Sequence, residues 1–441
     1  MTRREFLARF GAGAAWLALS RLGWAQALET SPRPNVVLIF SDDQGYADIG
    51  CQGCTDISTP NLDAICAGGT RFSSGYVTAP VCSPSRAGLM TGRYQQRYGH
   101  EHNPGNSREA GLPLTETTLA DHLKAAGYAT GMVGKWHLGM LEKQNPINRG
   151  FDEFFGFLHG AHSYIVPNDS RRDPIRRGLK PVQESAYLTD AFGREACDFI
   201  QRHAAEPFFF YLAFNAVHAP LEATRGYMSR FPHIEDPRRR TFAAMMAAMD
   251  DAVGNVLTTL RSQGLEQDTL VFFISDNGGP TPQTTSRNDP LRGYKGQVYE
   301  GGIRVPFALR WPGHIPAGMV YDRPVSSLDV VPTVLAAAGV RIPRGLDGVN
   351  LTPFLSGAMS GDPHEQLFWR MGRKTAVRRG KWKLLREARG DYELYDLGND
   401  IAETNNLAQI EPERLAELQG ALAAWDAEMI DPLWIRESFS R

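Results

Sequence analysis

Four stretches of this chain end an apolar run with ionisable or amide residues, followed by glycine or proline. Ser41-Asp42-Asp43-Gln44-Gly45 and Ser275-Asp276-Asn277-Gly278-Gly279 carry acidic and amide oxygens. Gly134-Lys135-Trp136-His137-Leu138-Gly139 and Asn215-Ala216-Val217-His218-Ala219-Pro220 carry amines and imidazoles. Asp42, Asp43, Asp276 and Asn277 offer oxygen ligands only, with no close His or Cys of the kind zinc prefers. Such hard donors suit Ca2+, with Mg2+ the second choice. One Asp-Asp or Asp-Asn-Gly alone is an ordinary turn or helix cap; two acidic pairs at matched places favour a metal. A fifth stretch runs Pro80-Val81-Cys82-Ser83-Pro84-Ser85-Arg86-Ala87-Gly88-Leu89-Met90-Thr91-Gly92-Arg93. Pro84 suits the first turn of a helix, with Ser83 as its cap. That places Cys82 at a helix N-terminus, where free N–H groups and the dipole stabilise an anion. A bare thiol there reads as a low-pKa nucleophile, and more plainly as a small buried cysteine.

These residues need a scaffold that brings distant strand ends together. Short β-rich apolar runs lie at 36–40, 128–133, 208–214, 270–274 and 305–309. Runs this apolar suit strands covered on both faces of a parallel sheet. Helical patterns lie between them: one capped by Thr115 and running to about Ala126, one over 187–203, and one over 238–261. Alternation of this kind predicts an α/β sandwich around a mostly parallel sheet, and ligands of such sheets sit beyond the carboxyl ends of the strands. After Pro363 the pattern changes. Strand-like pieces at 376–379, 382–386 and 392–396, then a helical stretch over 412–429, predict a small antiparallel subdomain. The division expected is residues 28–363 for the main domain and 364–441 for the appendage.

Residues 1–27 read as a twin-arginine export signal. Arg3-Arg4 precede Phe6-Leu7, a weakly apolar run follows, and Ala25-Gln26-Ala27 offers small residues for a signal peptidase. A periplasmic or secreted bacterial protein with no retained membrane span is the expectation. A formal net charge of -2 on 441 residues gives no reason to expect nucleic acid as a partner. Five cysteines make no disulfide framework. Cys51-Gln52-Gly53-Cys54 has CxxC spacing but lacks a second pair for zinc, so a disulfide or two ordinary thiols are expected there. Arg171, Arg172, Arg176 and Arg177 form a basic cluster that reads as a solvated loop or, more sharply, as a grip on an anionic polysaccharide.

Cys82-x-Pro84-x-Arg86 followed by Thr91-Gly92-Arg93 resembles the signature of the type I, formylglycine-dependent sulfatases of the alkaline phosphatase superfamily. The resemblance extends from about Pro34 to about Leu407. It takes in Ser58-Thr59-Pro60-Asn61-Leu62-Asp63, Arg292-Gly293-Tyr294-Lys295-Gly296, Glu300-Gly301-Gly302 and Glu393-Leu394-Tyr395-Asp396-Leu397. It implies an alkaline phosphatase-like sandwich. It also implies that Cys82 is oxidised to formylglycine by a dedicated formylglycine-generating enzyme, a step that the twin-arginine signal would let precede export. Asp42, Asp43, Asp276, Asn277 and residue 82 match the calcium ligands. Arg86 matches the residue that holds the formylglycine hydrate, Lys135 and Lys295 the lysines on sulfate oxygens, His137 the base and His218 the acid. The polar position that the family places after the His137 segment has His162 and Ser163 as candidates. The stretches Gly99-His100-Glu101-His102-Asn103-Pro104 and Phe157-Leu158-His159-Gly160-Ala161-His162-Ser163-Tyr164 look like those of bacterial polysaccharide sulfatases. His100, His102, His159 and His162 read as lining the substrate pocket or as simply sitting on the surface; His100, His102, His162 and Ser163 are the residues expected to contact a sulfated galactan or glycosaminoglycan fragment.

Three functions follow from these residues. The first is hydrolysis of a carbohydrate sulfate ester. The second is a formylglycine-dependent phosphonate monoester or phosphodiester hydrolase, with the same nucleophile and metal. The third is a non-catalytic glycan-binding relative, which predicts loss of a metal or sulfate position; none is lost here.

Overall fold

The computed structural model describes residues 33–434 except 106, 108, 167–172 and 389, so the export signal expected over residues 1–27 lies outside the described residues. The first strand, β1 (Asn35–Ser41), is buried along its whole length. Its side chains alternate between two cores: Val37 and Ile39 join one, Val36, Leu38 and Phe40 the other. A strand covered on both faces has no polar side, hence its unbroken apolar run.

The elements that follow are α1 (Pro60–Ala67), β2 (Thr70–Phe72), α2 (Cys82–Thr91), α3 (Leu119–Ala125), β3 (Ala129–Lys135), β4 (Glu153–Phe157), α4 (Leu188–Arg202), β5 (Phe208–Ala213), α5 (Pro237–Ser262), β6 (Thr269–Ser275), β7 (Phe307–Arg310), β8 (Met319–Tyr321) and α6 (Val330–Ala337). The main sheet has the order β8-β2-β7-β6-β1-β5-β3-β4, continued by a short hairpin of Arg176–Arg177 and Lys180–Pro181. The five central strands, β6, β1, β5, β3 and β4, are mutually parallel. Helices α1, α4 and α5 pack on one face, and α2, α3 and α6 on the other. The architecture is the expected α/β sandwich.

Local details differ from the expectation. The cap of α3 is Thr118, not Thr115: Thr118 and Asp121 exchange reciprocal hydrogen bonds of 3.1 and 2.9 Å with each other's backbone N–H. The strand expected at 305–309 is β7, which runs antiparallel to both its neighbours. Strand β4 was not expected, because Gly156 interrupts Glu-Phe-Phe-Gly-Phe and glycine inside a strand reads as a breaker. Gly156 is there for closeness: a Cβ at that position would lie 2.0 Å from the Gly134 carbonyl oxygen.

The C-terminal region is an antiparallel meander of four strands, one more than predicted: β9 (Leu367–Met371), β10 (Lys374–Arg379), β11 (Trp382–Arg386) and β12 (Glu393–Asp396). Helix α7 (Pro412–Asp426) packs on it through Leu418, Leu422 and Trp425. Lys383 of β11 is wholly buried between Glu300, 2.9 Å away, and Glu403, 2.8 Å away. No helix among the described residues is long and apolar enough to cross a membrane.

Candidate active site

Register brings the acidic pairs together. In the parallel β1–β6 ladder Ser41 stands opposite Ser275, so Asp42-Asp43 and Asp276-Asn277 leave the sheet side by side. The Asp43 N–H donates to Asp276 Oδ1 at 3.1 Å. Asp43 has a φ of 60°, a left-handed conformation that Asp tolerates better than most residues. Lys135 closes β3, and Gly134 before it is level with Ala213 of β5, which is itself level with Phe40 of β1. The lysine therefore emerges beside the acidic pairs, and its ammonium bonds Asp42 Oδ2.

Helix α2 aims its N-terminus at this cluster. Cys82 is its first residue, after an extended Val81. Ser83 is not the cap: its hydroxyl donates to the His137 carbonyl at 2.6 Å and meets His100 Nε2 at 2.7 Å. The Ser83 N–H is taken instead by Asn103 Oδ1 at 2.9 Å. One turn on, Arg86 is 0 % exposed, with Nε and Nη2 on Asp276 Oδ2 at 3.2 and 2.9 Å and Nη1 on the Lys135 carbonyl. Lys295 joins them, with Nζ 2.6 Å from Asp43 Oδ1 and 3.1 Å from Cys82 Sγ. The N–H of Gly296 pins that loop to the Pro80 carbonyl.

The two histidines stand in different surroundings. His218 Nε2 lies 3.5 Å from Asp43 Oδ2, while Nδ1 meets the Ala219 carbonyl at 2.6 Å. A carbonyl only accepts, so Nδ1 carries the proton and Nε2 is the nitrogen free to gain or lose one. His137 is buried and stacks on His159 at 6.4 Å between centroids. Gly160 lies against its ring, where a Cβ would come within 2.6 Å of Nε2.

Burial and charge set the protonation states. Burial, then the neighbouring Asp276, pushes the Asp42 carboxyl up to about 7. Burial works the same way on Asp43, but Lys295 and then His218 outweigh it and hold that carboxyl below its ordinary range. Asp276 is also held well below its ordinary range, burial being overcome chiefly by Arg86. Burial and Asp276 push the Cys82 thiol up to about 12. The low-pKa thiol suggested by a helix N-terminus is thus overturned, because desolvation and the carboxylates outweigh the dipole. Burial lowers His218 to about 4 and, with Lys135, lowers His137 well below the usual imidazole range.

A cation fits these donors. Among the described residues, one ligand atom each from Asp42, Asp43, Cys82 and His218 lie within 4.8 Å of one another. Asn277 donates Nδ2 to Asp43 at 2.8 Å, and its Oδ1 is buried with no partner. An orphaned amide oxygen beside buried carboxylates is the donor set of a hard cation.

The four residues expected to meet substrate lie in two groups. His100 is fully buried, on Ser83 and edge-on to Trp434 at 4.7 Å. His102 is 2 % exposed, and its backbone carbonyl accepts from the Trp434 indole at 3.0 Å. Both ring nitrogens of His162 lie on backbone carbonyls, of Ser163 and Asp173. The Ser163 hydroxyl donates to Glu222 at 2.8 Å. Sequence reasoning missed Tyr164, whose hydroxyl donates to the His218 carbonyl at 2.8 Å, and the Asn103 clamp on α2. Neither sits at a strand end, and a bond to backbone leaves no motif. In the basic cluster, Arg177 pairs with Glu195 at 2.7 Å.

Residues 34–340 match the Sulfatase family model, and residues 294–425 match the C-terminal model of N-sulphoglucosamine sulphohydrolase. The chain is 35% identical over 426 residues to N-acetylgalactosamine-6-sulfatase of Mus musculus, covering 89% of this chain and 80% of that protein. It is 37% identical over 401 residues to arylsulfatase A of Homo sapiens, covering 82% and 76% respectively. The crystal structure of Ps i-CgsB in complex with k-i-k-neocarrahexaose superposes with a TM-score of 0.88 at 36% identity, covering 92% of this chain and 95% of that one.

Proposed function

Because the chain belongs to the sulfatase family and is a sulfuric ester hydrolase, we propose that it hydrolyses a sulfate ester on a carbohydrate through a formylglycine made from Cys82, with Ca2+ bound beside it. The position of residue 82 carries this reading. It begins a helix, 3.1 Å from the Lys295 ammonium and 3.6 Å from the Asp42 carboxylate. A thiol raised to about 12 is a poor nucleophile there. A hydrated aldehyde supplies two hydroxyls on one carbon, one to attack sulfur and one to expel sulfate afterwards, whereas a serine or cysteine would stay sulfated.

Asp42, Asp43, Asp276 and Asn277 would hold the calcium, which when bound neutralises charge on the sulfate oxygens. Lys135 and Lys295 supply two further positive charges in a site that excludes most water, where such charges are strongest. Arg86, fixed by Asp276, orients the hydrate on residue 82. His137 takes the proton of the second hydroxyl. His218, on the Asp43 side, delivers a proton from Nε2 to the leaving oxygen. Its ring is held near 4 in the free protein, and a bound sulfate ester brings the negative charge that favours protonation.

The substrate class is a sulfated galactan or glycosaminoglycan fragment. Relatives named for N-acetylgalactosamine-6-sulfate, and one solved with a neocarrahexaose, support a sulfated sugar. Maturation calls for a formylglycine-generating enzyme, and the twin-arginine stretch for export after that step. The rival is a phosphonate monoester or phosphodiester hydrolase with the same nucleophile; the Lys135–His137 pair and Lys295 favour sulfate. Paired rates on an aryl sulfate and an aryl phosphodiester test the choice. Faster cleavage of the phosphodiester sinks the sulfatase reading.

A further inference from the structure

The acidic pair Asp42-Asp43 leads within a few residues to a tight turn, Gly50–Gln52, and then to α1. Cys51 in that turn and Cys66 in the last turn of α1 hold their sulfurs 2.7 Å apart. Unbonded heavy atoms pack at about 3.5–4.0 Å, and a disulfide bond is about 2.05 Å long. The backbone around the pair is already fixed. The Gly50 N–H donates to Thr59 Oγ1 at 2.9 Å, and the Cys51 N–H to Asp63 Oδ1 at 2.7 Å, both on or beside α1. Cys54, the CxxC neighbour, turns away and bonds Asp56 at 3.3 Å. Cys66 is buried and Cys51 half-buried, so Cys51 is the sulfur an oxidant can reach.

We infer that Cys51 and Cys66 are a cross-linking site, joined when the folded protein meets a small-molecule or protein disulfide. Cys51, as thiolate, attacks one sulfur of RS–SR and releases one RS−. Cys66 then displaces the second RS− from the mixed disulfide, and the two protons of the protein thiols leave on two RSH. The contact with Cys66 and partial burial raise the Cys51 thiol, so the exchange is slow and calls for long incubation in mildly alkaline buffer. The cross-link closes a loop between positions 15 apart. It braces the turn that follows Asp48, whose carboxylate accepts from the backbone N–H of Gly45 and Arg287, each at 3.0 Å. The inference is independent of the reaction proposed at residue 82.

The full-length protein is incubated with oxidised glutathione, its remaining thiols are alkylated, and it is digested without reduction for mass spectrometry. The expected result is a peptide containing Cys51 joined to one containing Cys66. Both cysteines alkylated, glutathione retained on Cys51, or a Cys51–Cys54 link would each overturn the inference. Oxidation should also raise the melting temperature by about 3–4 °C for a loop of this length in a chain of this size, a rise absent in Cys66→Ser. An unchanged melting temperature in the cross-linked protein overturns the bracing role.

Discussion

Replacing His218 by alanine separates leaving groups by their need for a proton. The ring has one usable nitrogen: Nδ1 is tied to the Ala219 carbonyl, and Nε2 points to within 3.5 Å of Asp43. On the proposed reading an alkoxide leaving from a sugar sulfate would take its proton from Nε2 of this ring, whose side chain is only 20% exposed. General acid catalysis contributes about 10²–10⁴-fold, or roughly 3–5 kcal/mol of barrier. His218→Ala should therefore lose about 10³-fold in kcat/KM on a sugar sulfate and less than about tenfold on an activated aryl sulfate, whose phenolate leaves unaided. The pH profile gives a second readout. Burial sets the ring at about 4, so its protonated fraction falls about tenfold for each pH unit above that. Wild-type kcat/KM on the sugar sulfate should decline as pH rises, and that alkaline arm should vanish in the variant. Metal loading titrates in the opposite direction, so the two effects are distinguishable. Equal losses on both esters, or an unchanged alkaline arm, would refute His218 as the acid.

Cys82→Ala should abolish turnover and leave the circular dichroism spectrum unchanged; in the active wild type, mass spectrometry should find residue 82 converted from thiol to aldehyde, and an unmodified cysteine in an active sample contradicts the mechanism. Calcium held as proposed would require Asp42 to lose its proton, and burial with Asp276 raises that carboxyl to about 7. Chelator-treated protein should gain more thermal stability from added calcium above that pH than below it; equal gains would remove Asp42 from the metal site. Lys383→Met leaves Glu300 and Glu403 buried without the ammonium between them. Breaking such a cluster costs about 3–5 kcal/mol, a fall in melting temperature of about 3–6 °C. Adding Glu403→Gln should recover part of it, since Glu403 is already raised to about 7 by burial and is the easier carboxyl to neutralise.

Much of the site was legible because a strand covered on both faces leaves an unmistakable apolar run. The residues just beyond such a run are where a parallel sheet presents its chemistry. Asp42, Asp43, Lys135, His218, Asp276 and Asn277 were all found by that route, and Cys82 and Arg86 by the Cys-x-Pro-x-Arg motif. Other features were misread for local reasons. Thr115 and Thr118 look alike as caps until one of them is seen to share its acid. Ser83 looks like a helix cap, but its hydroxyl is claimed by His137 and His100.

The amino-acid sequence by itself determined the strand ends, the ligand types and the family resemblance, because these depend on residues close together in the chain. Tertiary structure alone decided which groups meet. The pairing of Ser41 with Ser275 aligns two acidic pairs more than 230 residues apart. Lys295 reaches both Asp43 and Cys82, and Cys51 faces Cys66 rather than Cys54. It also decided protonation: a helix N-terminus argued for an acidic thiol, and the desolvated, carboxylate-rich pocket around it reversed that sign. Proximity across a sheet and loss of water are properties of the packed chain, and no local pattern encodes either.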